Sequence, residues 1–515
     1  MPFPRVLALS VAALALGLAG CHSGGDMPGM QPTTPARGQL LQSPPQKVSS
    51  ISVTQLLSLL GVDTLGQELL QLQYHPLCTV EVYHLEYETI GGQGEATTAS
   101  GALMVPSGSG SECQGARPIV EYAHGTSPDK NYDIAALQGS SPNSEGLILA
   151  AVFAAEGDIV VAPNYAGYDT SALSYHAYLV ADQQAGDMMD ALTAARSALS
   201  AIGSGVSDNH KLYITGYSQG GYVAMATQRA LEAAGQTVTA SGPMSGPYAL
   251  SAFGDAIFMG EVNGAGTRNV ALLTSGYQHS YGNLYSTPTD MFASAYASNI
   301  GTLLPSTMTI TQIETEGLLP SALFSSTPPA PQYAALTPAT APASLAVVFA
   351  QGFGDPYLII NDYRLAYLQD EQAHPDGGFP TTTNGLPPTS PGNTLRQDLL
   401  KNDLRNWTPK APTLLCAGDQ DPEVFYFNTQ LMQSYWTKNS PSAPVTVVDI
   451  DSSPANNDPY ATEKEAFKAA VTAVEVAAVA GGATDGGHVA VLTDYHAQLV
   501  APFCLAVVKS FFDAH

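Results

Sequence analysis

Short apolar runs separated by longer segments dominate the pattern of this chain. The first two runs, residues 80–87 and 100–105, alternate or are β-rich, and the Gly91-Gly92 pair between them predicts an antiparallel hairpin. Six later runs also predict strands: residues 119–123, 159–162, 212–215, 237–240, 414–417 and 445–450. Residues 183–202 place apolar side chains on one helical face, and this pattern stops at Gly203. Strands alternating with helices predict an α/β fold, with a mostly parallel central sheet covered by helices on both faces.

The alternation is interrupted between residues 250 and 408. Four tyrosines cluster in this stretch, at positions 277, 281, 285 and 296, and residues 303–342 are rich in Pro, Thr and Ala. A segment of this length is too long for a single loop of a compact domain. We therefore predict an inserted cap or lid subdomain, with the core formed by residues 51–249 and 409–515. A second independent domain is the alternative.

A candidate nucleophile lies where the run at 212–215 meets a helix-forming stretch. The pentapeptide there is Gly216-Tyr217-Ser218-Gln219-Gly220. A G-x-S-x-G sequence between a strand and a helix is typical of a nucleophile elbow, in which a strained turn raises the serine hydroxyl above the sheet edge. Glycine is abundant, with 48 in 515 residues, so the motif needs support from an oxyanion loop upstream and an acid and a histidine downstream.

A serine hydroxyl becomes a useful nucleophile when an imidazole accepts its proton and a carboxylate orients that imidazole. Asp421 is the predicted acid, because it follows the run at 414–417, at the strand end where sites of open α/β sheets assemble. Asp419 and Glu423 in the same turn are rivals. His488 is the predicted base, because it follows two glycines in an expected loop before a terminal helix at about 492–512. Beyond it, His496 falls inside that helix, which indicates a surface or packing residue, and His515 is terminal.

The oxyanion formed during attack on an ester needs backbone N–H donors aimed at it. One donor is expected from the residue after the nucleophile, Gln219. The second is expected from the loop after residues 119–123, where His124-Gly125-Thr126 is similar to a lipase oxyanion loop, and Thr126 N–H is the predicted donor. His124 itself is interpreted as structural support for this loop.

These motifs follow one another along the chain as oxyanion loop, nucleophile, acid and base. In this order the chain resembles the α/β-hydrolase superfamily over roughly residues 75–515. The peptides at 162–167 and 245–248 also resemble the secretory lipase branch, whose members carry a large cap and hydrolyse esters. Asn164 departs from that pattern, because many members carry an acid there. The resemblance implies a serine esterase or lipase fold and activity.

Composition narrows the partners. The chain has 45% hydrophobic against 12% charged residues, which indicates a globular protein, and a formal charge of −26, which argues against nucleic-acid binding. No cofactor or metal is expected, because dinucleotide, P-loop and zinc patterns are missing and the acidic residues 449, 451 and 458 suit a surface turn better than a calcium site. Four cysteines besides Cys21 are compatible with disulfides: a Cys78–Cys113 pair is plausible, while Cys416 and Cys504 are either bridged or buried.

The N-terminal pattern predicts export. Residues 1–20 read as a signal peptide, and its end, Leu18-Ala19-Gly20-Cys21, resembles a bacterial lipobox, which implies cleavage before Cys21 and lipidation on it. His22 after that cysteine favours an outer-membrane destination. Residues 21–50 are predicted to be a flexible tether. Membrane contact is therefore expected only through the lipid anchor.

Together these patterns predict a secreted, lipid-anchored serine hydrolase acting on small-molecule or lipid esters through an acyl-enzyme on Ser218. A peptidase on the same scaffold, proline-specific or otherwise, is the nearest alternative. A surface lipoprotein that binds a ligand without catalysis is the other.

Overall fold

The computed structural model describes residues 36–62, 66–67, 70, 76–138 and 143–515. Nine of the described strands form one sheet: β1 (Gln46–Ile51), β2 (Thr79–Ile90), β3 (Ala96–Ser107), β4 (Gly115–Ala123), β5 (Ile159–Pro163), β6 (Val206–Tyr217), β7 (Ala240–Met244), β10 (Thr413–Ala417) and β11 (Val445–Asp449). Their order is β1-β2-β3-β5-β4-β6-β7-β10-β11. The first three strands and the β3–β5 pair are antiparallel, and every pair from β5 to β11 is parallel. The predicted α/β fold is confirmed, and β2 and β3 form the predicted hairpin.

Apolar residues alternate between two faces along the central strands. Ile119 and Val161 belong to one buried cluster, whereas their neighbours Val120 and Val160 belong to a cluster on the other face. A strand places successive side chains on opposite faces, so both faces of this sheet need a cover. The helices that supply it are α1 (Val53–Leu60), α2 (Ser144–Val152), α3 (Ala181–Ile202), α4 (Gln219–Ala233), α13 (Phe427–Asn439), α14 (Ala461–Ala480), α15 (His488–Asp494) and α16 (Ala501–Asp513).

The regular structure in the segment between β7 and β10 is mostly helical. It contains α5 (Leu250–Phe258), α6 (Gly266–Tyr281), α7 (Ser294–Ala297), α8 (Ile300–Leu303), α9 (Ile310–Thr315), β8 (Ala322–Phe324), α10 (Ala346–Gln351), β9 (Tyr357–Ile359), α11 (Asn361–Ala373) and α12 (Thr394–Lys401). β8 and β9 pair with each other in a separate parallel ribbon. Phe258, Phe349 and Tyr367 of this segment lie in the same buried cluster as Ile119 and Val161 of the sheet. The insertion therefore shares a hydrophobic core with the sheet that it interrupts.

Two predictions from the sequence need correction. The predicted strand at 237–240 overlaps the observed strand at one residue only, since β7 spans Ala240–Met244. β7 was missed because it contains Gly242 and Pro243, which are unfavourable inside strands. The predicted tether at 21–50 is wrong in its later part, since β1 pairs with β2 from Gln46 onwards and Arg37 forms a 2.9 Å ion pair with Asp190. β1 is mostly exposed and held by backbone pairing, so it leaves no apolar alternation to find. Residues 1–35, with Cys21, lie outside the described part.

Two disulfides lie in the described chain. Cys78 pairs with Cys113, as was plausible from the sequence, and Cys416 pairs with Cys504. The second bridge joins β10 to α16. That helix ends a continuous helical segment, His488–Asp513, which in the described chain is long and apolar enough to cross a membrane. Most of the segment is buried against the sheet, as in the core helix of a globular protein.

Candidate active site

Ser218 lies in a sharp turn between β6 and α4. Its φ of 61° is rare for a residue with a side chain. The turn needs glycine on both sides: a Cβ on Gly216 would lie 2.4 Å from the Gly220 carbonyl oxygen, and one on Gly220 would lie 1.9 Å from the Ala123 carbonyl oxygen. The Ser218 N–H donates to the Met244 carbonyl, at 3.0 Å, which ties the turn to β7. The geometry is that of the predicted nucleophile elbow.

Ser218, His496 and Asp421 are linked by two successive side-chain hydrogen bonds. His496 Nε2 lies 2.8 Å from Ser218 Oγ, and His496 Nδ1 lies 2.7 Å from Asp421 Oδ2. Asp421 is 1% exposed, and its other oxygen accepts the N–H groups of Glu423 and Val424, each at 2.9 Å. The carboxylate is therefore fixed by its own turn and is directed at the imidazole.

The prediction of His488 as the base is wrong for this geometry. His488 is the exposed first residue of α15, and its Nε2 contacts the Ser344 carbonyl at 2.8 Å. His496, which the sequence favoured as a surface or packing residue, occupies the position beside Ser218. Of the two rival acids, Asp419 is exposed and Glu423 lines the cavity, and the carboxylate that contacts His496 is that of Asp421.

His496 was missed because the terminal helix is not regular. Residues Tyr495–Val500 form a π-helical turn between α15 and α16. π-turns concentrate at functional sites, where they re-aim a side chain. The sequence does contain a signal for this irregularity, because Pro502 lies inside the expected terminal helix. Proline has no N–H to donate to the carbonyl four residues earlier, at Gln498, so the helix is expected to be broken within two turns of His496.

The charges around His496 act in opposite directions. Burial is the largest single influence and lowers the pKa of the imidazole, but the charge and hydrogen bond of Asp421, together with nearby Glu423, outweigh it, so the pKa is raised overall from its ordinary value of 6.5. The charge of Arg268 also lowers the pKa. The Tyr217 hydroxyl donates to the backbone carbonyl of His496 and holds the π-turn in place. The site thus stabilises the imidazolium that forms when a base takes up a proton.

The two predicted oxyanion donors lie at this site. Gln219 is the first residue of α4, so no carbonyl of its own helix accepts its N–H. Thr126 lines the same cavity as Ser218, Gln219 and His496. His124 is fully buried and stacks between Tyr132 and Tyr165, with ring centroids 4.2 and 4.1 Å away, which agrees with a structural role.

A cavity of about 500 Å³ opens over Ser218. Apolar side chains from the insertion and the last helix form a large part of its wall: Leu250, Phe253, Ile257, Phe258, Leu273, Leu395, Leu399 and Leu505. Arg268 and Glu423 also line it, as do Asn263 and Asn269. Most of these lining residues, including Arg268, lie in the predicted cap at 250–408, so the cap supplies much of the binding surface.

Comparison with known proteins agrees with this geometry. The profile of the prolyl oligopeptidase family of peptidases matches residues 148–278. The rice cell wall degrading esterase LipA from Xanthomonas oryzae is 26% identical, with a TM-score of 0.62 over 84% of this chain and 96% of that chain. A protein from Legionella pneumophila has the same fold, at 18% identity, a TM-score of 0.60 and 92% and 97% coverage. The chain therefore has an α/β-hydrolase fold. No curated protein matches this hydrolase.

Proposed function

We propose that this hydrolase cleaves carboxylic esters through an acyl-enzyme on Ser218, with His496 as the base and Asp421 as the residue that orients it. The observation that carries the proposal is the row of contacts from Ser218 Oγ through His496 to Asp421, at 2.8 and 2.7 Å. This row opens into a largely apolar cavity.

The geometry suits the following sequence of steps. His496 Nε2 accepts the Ser218 proton as Oγ attacks the acyl carbon, and the charge on the carbonyl oxygen is held by the N–H groups of Gln219 and Thr126. The imidazolium then donates its proton to the leaving alcohol oxygen, and the acyl-enzyme forms. Water attacks it next, with His496 as base again, and the acid is released. Asp421 keeps the imidazole in the tautomer with the proton on Nδ1.

The cavity wall supports a preference for hydrophobic acyl groups. Burial of apolar surface contributes roughly 25 cal/mol per Å², or about 0.8 kcal/mol per methylene. Each methylene that enters the cavity therefore improves binding of the acyl chain up to the length that about 500 Å³ accommodates. A peak of kcat/KM along a series of esters of increasing chain length is the expected signature.

A peptidase is the second candidate, and the match to the prolyl oligopeptidase family favours it. The matched stretch, residues 148–278, contains the strand, the elbow and the helix that serine hydrolases of this fold share. It ends before Asp421, His496 and most of the insertion. The similarity to the esterase extends over 84% of this chain and 96% of that chain, far more than the residues that the peptidase family matches. The ester reaction is therefore the better supported of the two.

Export and anchoring complete the proposal. The lipobox-like sequence before Cys21 and two disulfides in the described chain support a lipoprotein of the bacterial envelope, because disulfides persist in oxidising compartments. Cells fed an alkyne fatty acid should label the wild-type protein and not a Cys21→Ser variant. Labelling of both, or of neither, contradicts the anchor.

The deciding experiment is hydrolysis of nitrophenyl esters from acetate to palmitate, and of aminoacyl-proline amides, by the secreted Cys21→Ser protein. Ser218→Ala, His496→Ala and His488→Ala are compared on the best substrate. Loss of about 10⁴-fold or more is expected for the first two, and less than twofold for His488→Ala, the matched control. Amide cleavage without ester cleavage selects the peptidase. Folded protein that turns over neither substrate selects the non-catalytic binder.

A further inference from the structure

Glu145 lies in the first turn of α2 and lines the cavity that contains Ser218. Its Oε1 accepts hydrogen bonds from the Gly125 N–H at 3.0 Å and from the Tyr122 hydroxyl at 2.7 Å, and its Oε2 accepts one from the Tyr132 hydroxyl at 2.9 Å. A carboxylate is an acceptor on both oxygens, and hydrogen bonds to it are about twice as strong as neutral ones. Glu145 therefore holds the loop after β4 at two points, Gly125 and Tyr132, and ties both to Tyr122 of β4, although the proposed mechanism does not use it.

The clamp acts on the peptide that precedes the predicted donor Thr126. His124 Nδ1 lies 2.6 Å from the Gly125 carbonyl oxygen, and its Nε2 lies 3.1 Å from the Asn164 carbonyl oxygen. The contact with Gly125 is the shorter of the two, and burial lowers the pKa of His124. In a trans peptide the C=O and the following N–H point in opposite directions. A Gly125 carbonyl held by His124 thus turns the Thr126 N–H away from that ring.

We propose that Glu145 is a positioning residue of the oxyanion hole: it holds Gly125 from its N–H side while His124 holds the carbonyl, so that the Thr126 N–H faces the oxygen that becomes negative. This inference rests on the serine hydrolase mechanism proposed above. Oxyanion donors must lie 2.7–3.1 Å from the charged oxygen. Glycine is the residue least able to hold a backbone orientation by itself, so the loop needs such external contacts.

Glu145 acts through Gly125 and not on the reacting atoms. The hydrogen bonds that the described structure gives its carboxylate come from Gly125, Tyr122 and Tyr132, whereas the proton of Ser218 has His496 as its acceptor. A positioning role predicts a lower kcat with little change in KM. The substrate carbonyl is uncharged in the ground state and gains its charge only in the transition state.

The test compares Glu145→Ala, Glu145→Gln and wild type on the substrate that wild type turns over best. Glu145→Ala should lower kcat about 10- to 100-fold, because losing one oxyanion donor outright costs about 10²–10³-fold. Its KM should stay within threefold. Glu145→Gln should recover most of the activity, because the amide oxygen still accepts the Gly125 N–H. Glu463→Gln is the matched control, because Glu463 is also an acid in the first turn of a helix, α14, but does not line the cavity. Its kcat and KM should equal those of wild type.

A boronic acid inhibitor supplies a readout that a merely structural role would not move. Its tetrahedral adduct with Ser218 places a boronate oxygen in the oxyanion hole, so its inhibition constant should rise by the same factor as kcat falls. The inhibition constant of the product alcohol, which needs no oxyanion hole, should not change. Thermal unfolding measured in parallel identifies any loss of folded protein.

The proposal is overturned if folded Glu145→Ala keeps kcat within twofold of wild type, or if kcat falls while boronate affinity is unchanged. Should Glu145→Ala fail to fold, Glu145→Leu fills a similar volume with a side chain that cannot accept the Gly125 N–H. Wild-type kcat in that folded variant overturns the proposal too. Failure of the ester hypothesis is distinct, because it appears as wild type without ester turnover, whereas boronate binding still reports the oxyanion hole.

Discussion

Glu121 should make the stability of this protein fall as pH rises. It lies on β4 in the middle of the sheet, is 0% exposed, and neither carboxyl oxygen has a hydrogen-bond partner among the described residues. Burial raises its pKa from 4.5 to about 8, against a small lowering by Arg196. The folded state therefore holds this proton at neutral pH, whereas the unfolded chain releases it.

The sign and size follow from linkage. Because the folded pKa lies above the unfolded one, the stabilising contribution is complete below pH 4.5 and is lost as pH rises towards about 8. Each pH unit in that window changes the free energy of unfolding by about 1.4 kcal/mol. Glu121→Gln has no proton to lose. Its stability relative to wild type should therefore increase by about 3 kcal/mol between pH 5.5 and pH 7.5.

The assay is urea unfolding at pH 5.5, 6.5 and 7.5, followed by tryptophan fluorescence. Subtracting wild type from variant removes the contribution of the other buried acids, since both chains carry them. Glu314→Gln, at an exposed carboxylate of α9, is the matched control and should give a difference that does not change with pH. A flat difference for Glu121→Gln as well would refute the reasoning, because it would mean that the Glu121 carboxylate is already ionised in the folded protein.

Three further predictions concern the site and its support. Replacing Cys416 and Cys504 by serine should lower the free energy of unfolding by about 4 to 5 kcal/mol, measured by urea unfolding, since the bridge closes a separation of 88 residues; a loss below 1 kcal/mol contradicts this. Activity should fall on the acid side of a pH midpoint above 6.5 in kcat/KM, because His496 must be neutral to accept a proton and its pKa is raised; a midpoint below 6.5 contradicts the assignment. Arg268→Gln should move that midpoint up and Glu423→Gln should move it down, because these charges act on His496 in opposite directions; equal shifts of the same sign contradict the electrostatic account.

The parts of the fold that depend on a local sequence pattern could be predicted. Apolar alternation identified the hairpin and the central strands, and the elbow was readable because steric limits at Gly216 and Gly220 leave a motif in consecutive residues. β1 could not be predicted, because its side chains are mostly exposed and the backbone hydrogen bonds that hold it require no particular residue types. The base was misplaced for a related reason: the pattern indicates a helix around His496 but not its π-turn, and only tertiary contacts decide which histidine meets Ser218.

The contact between Ser218 and His496 joins residues 278 positions apart, across the whole insertion. During synthesis the nucleophile emerges from the ribosome long before its base, so the two cannot meet until the whole insertion has been made. Pairings this distant in sequence form late, because closing the intervening chain costs entropy that only the finished core offsets. Activity is thus a report on completed folding: a chain that has made its sheet but not docked its last helix presents an exposed serine with no base beside it.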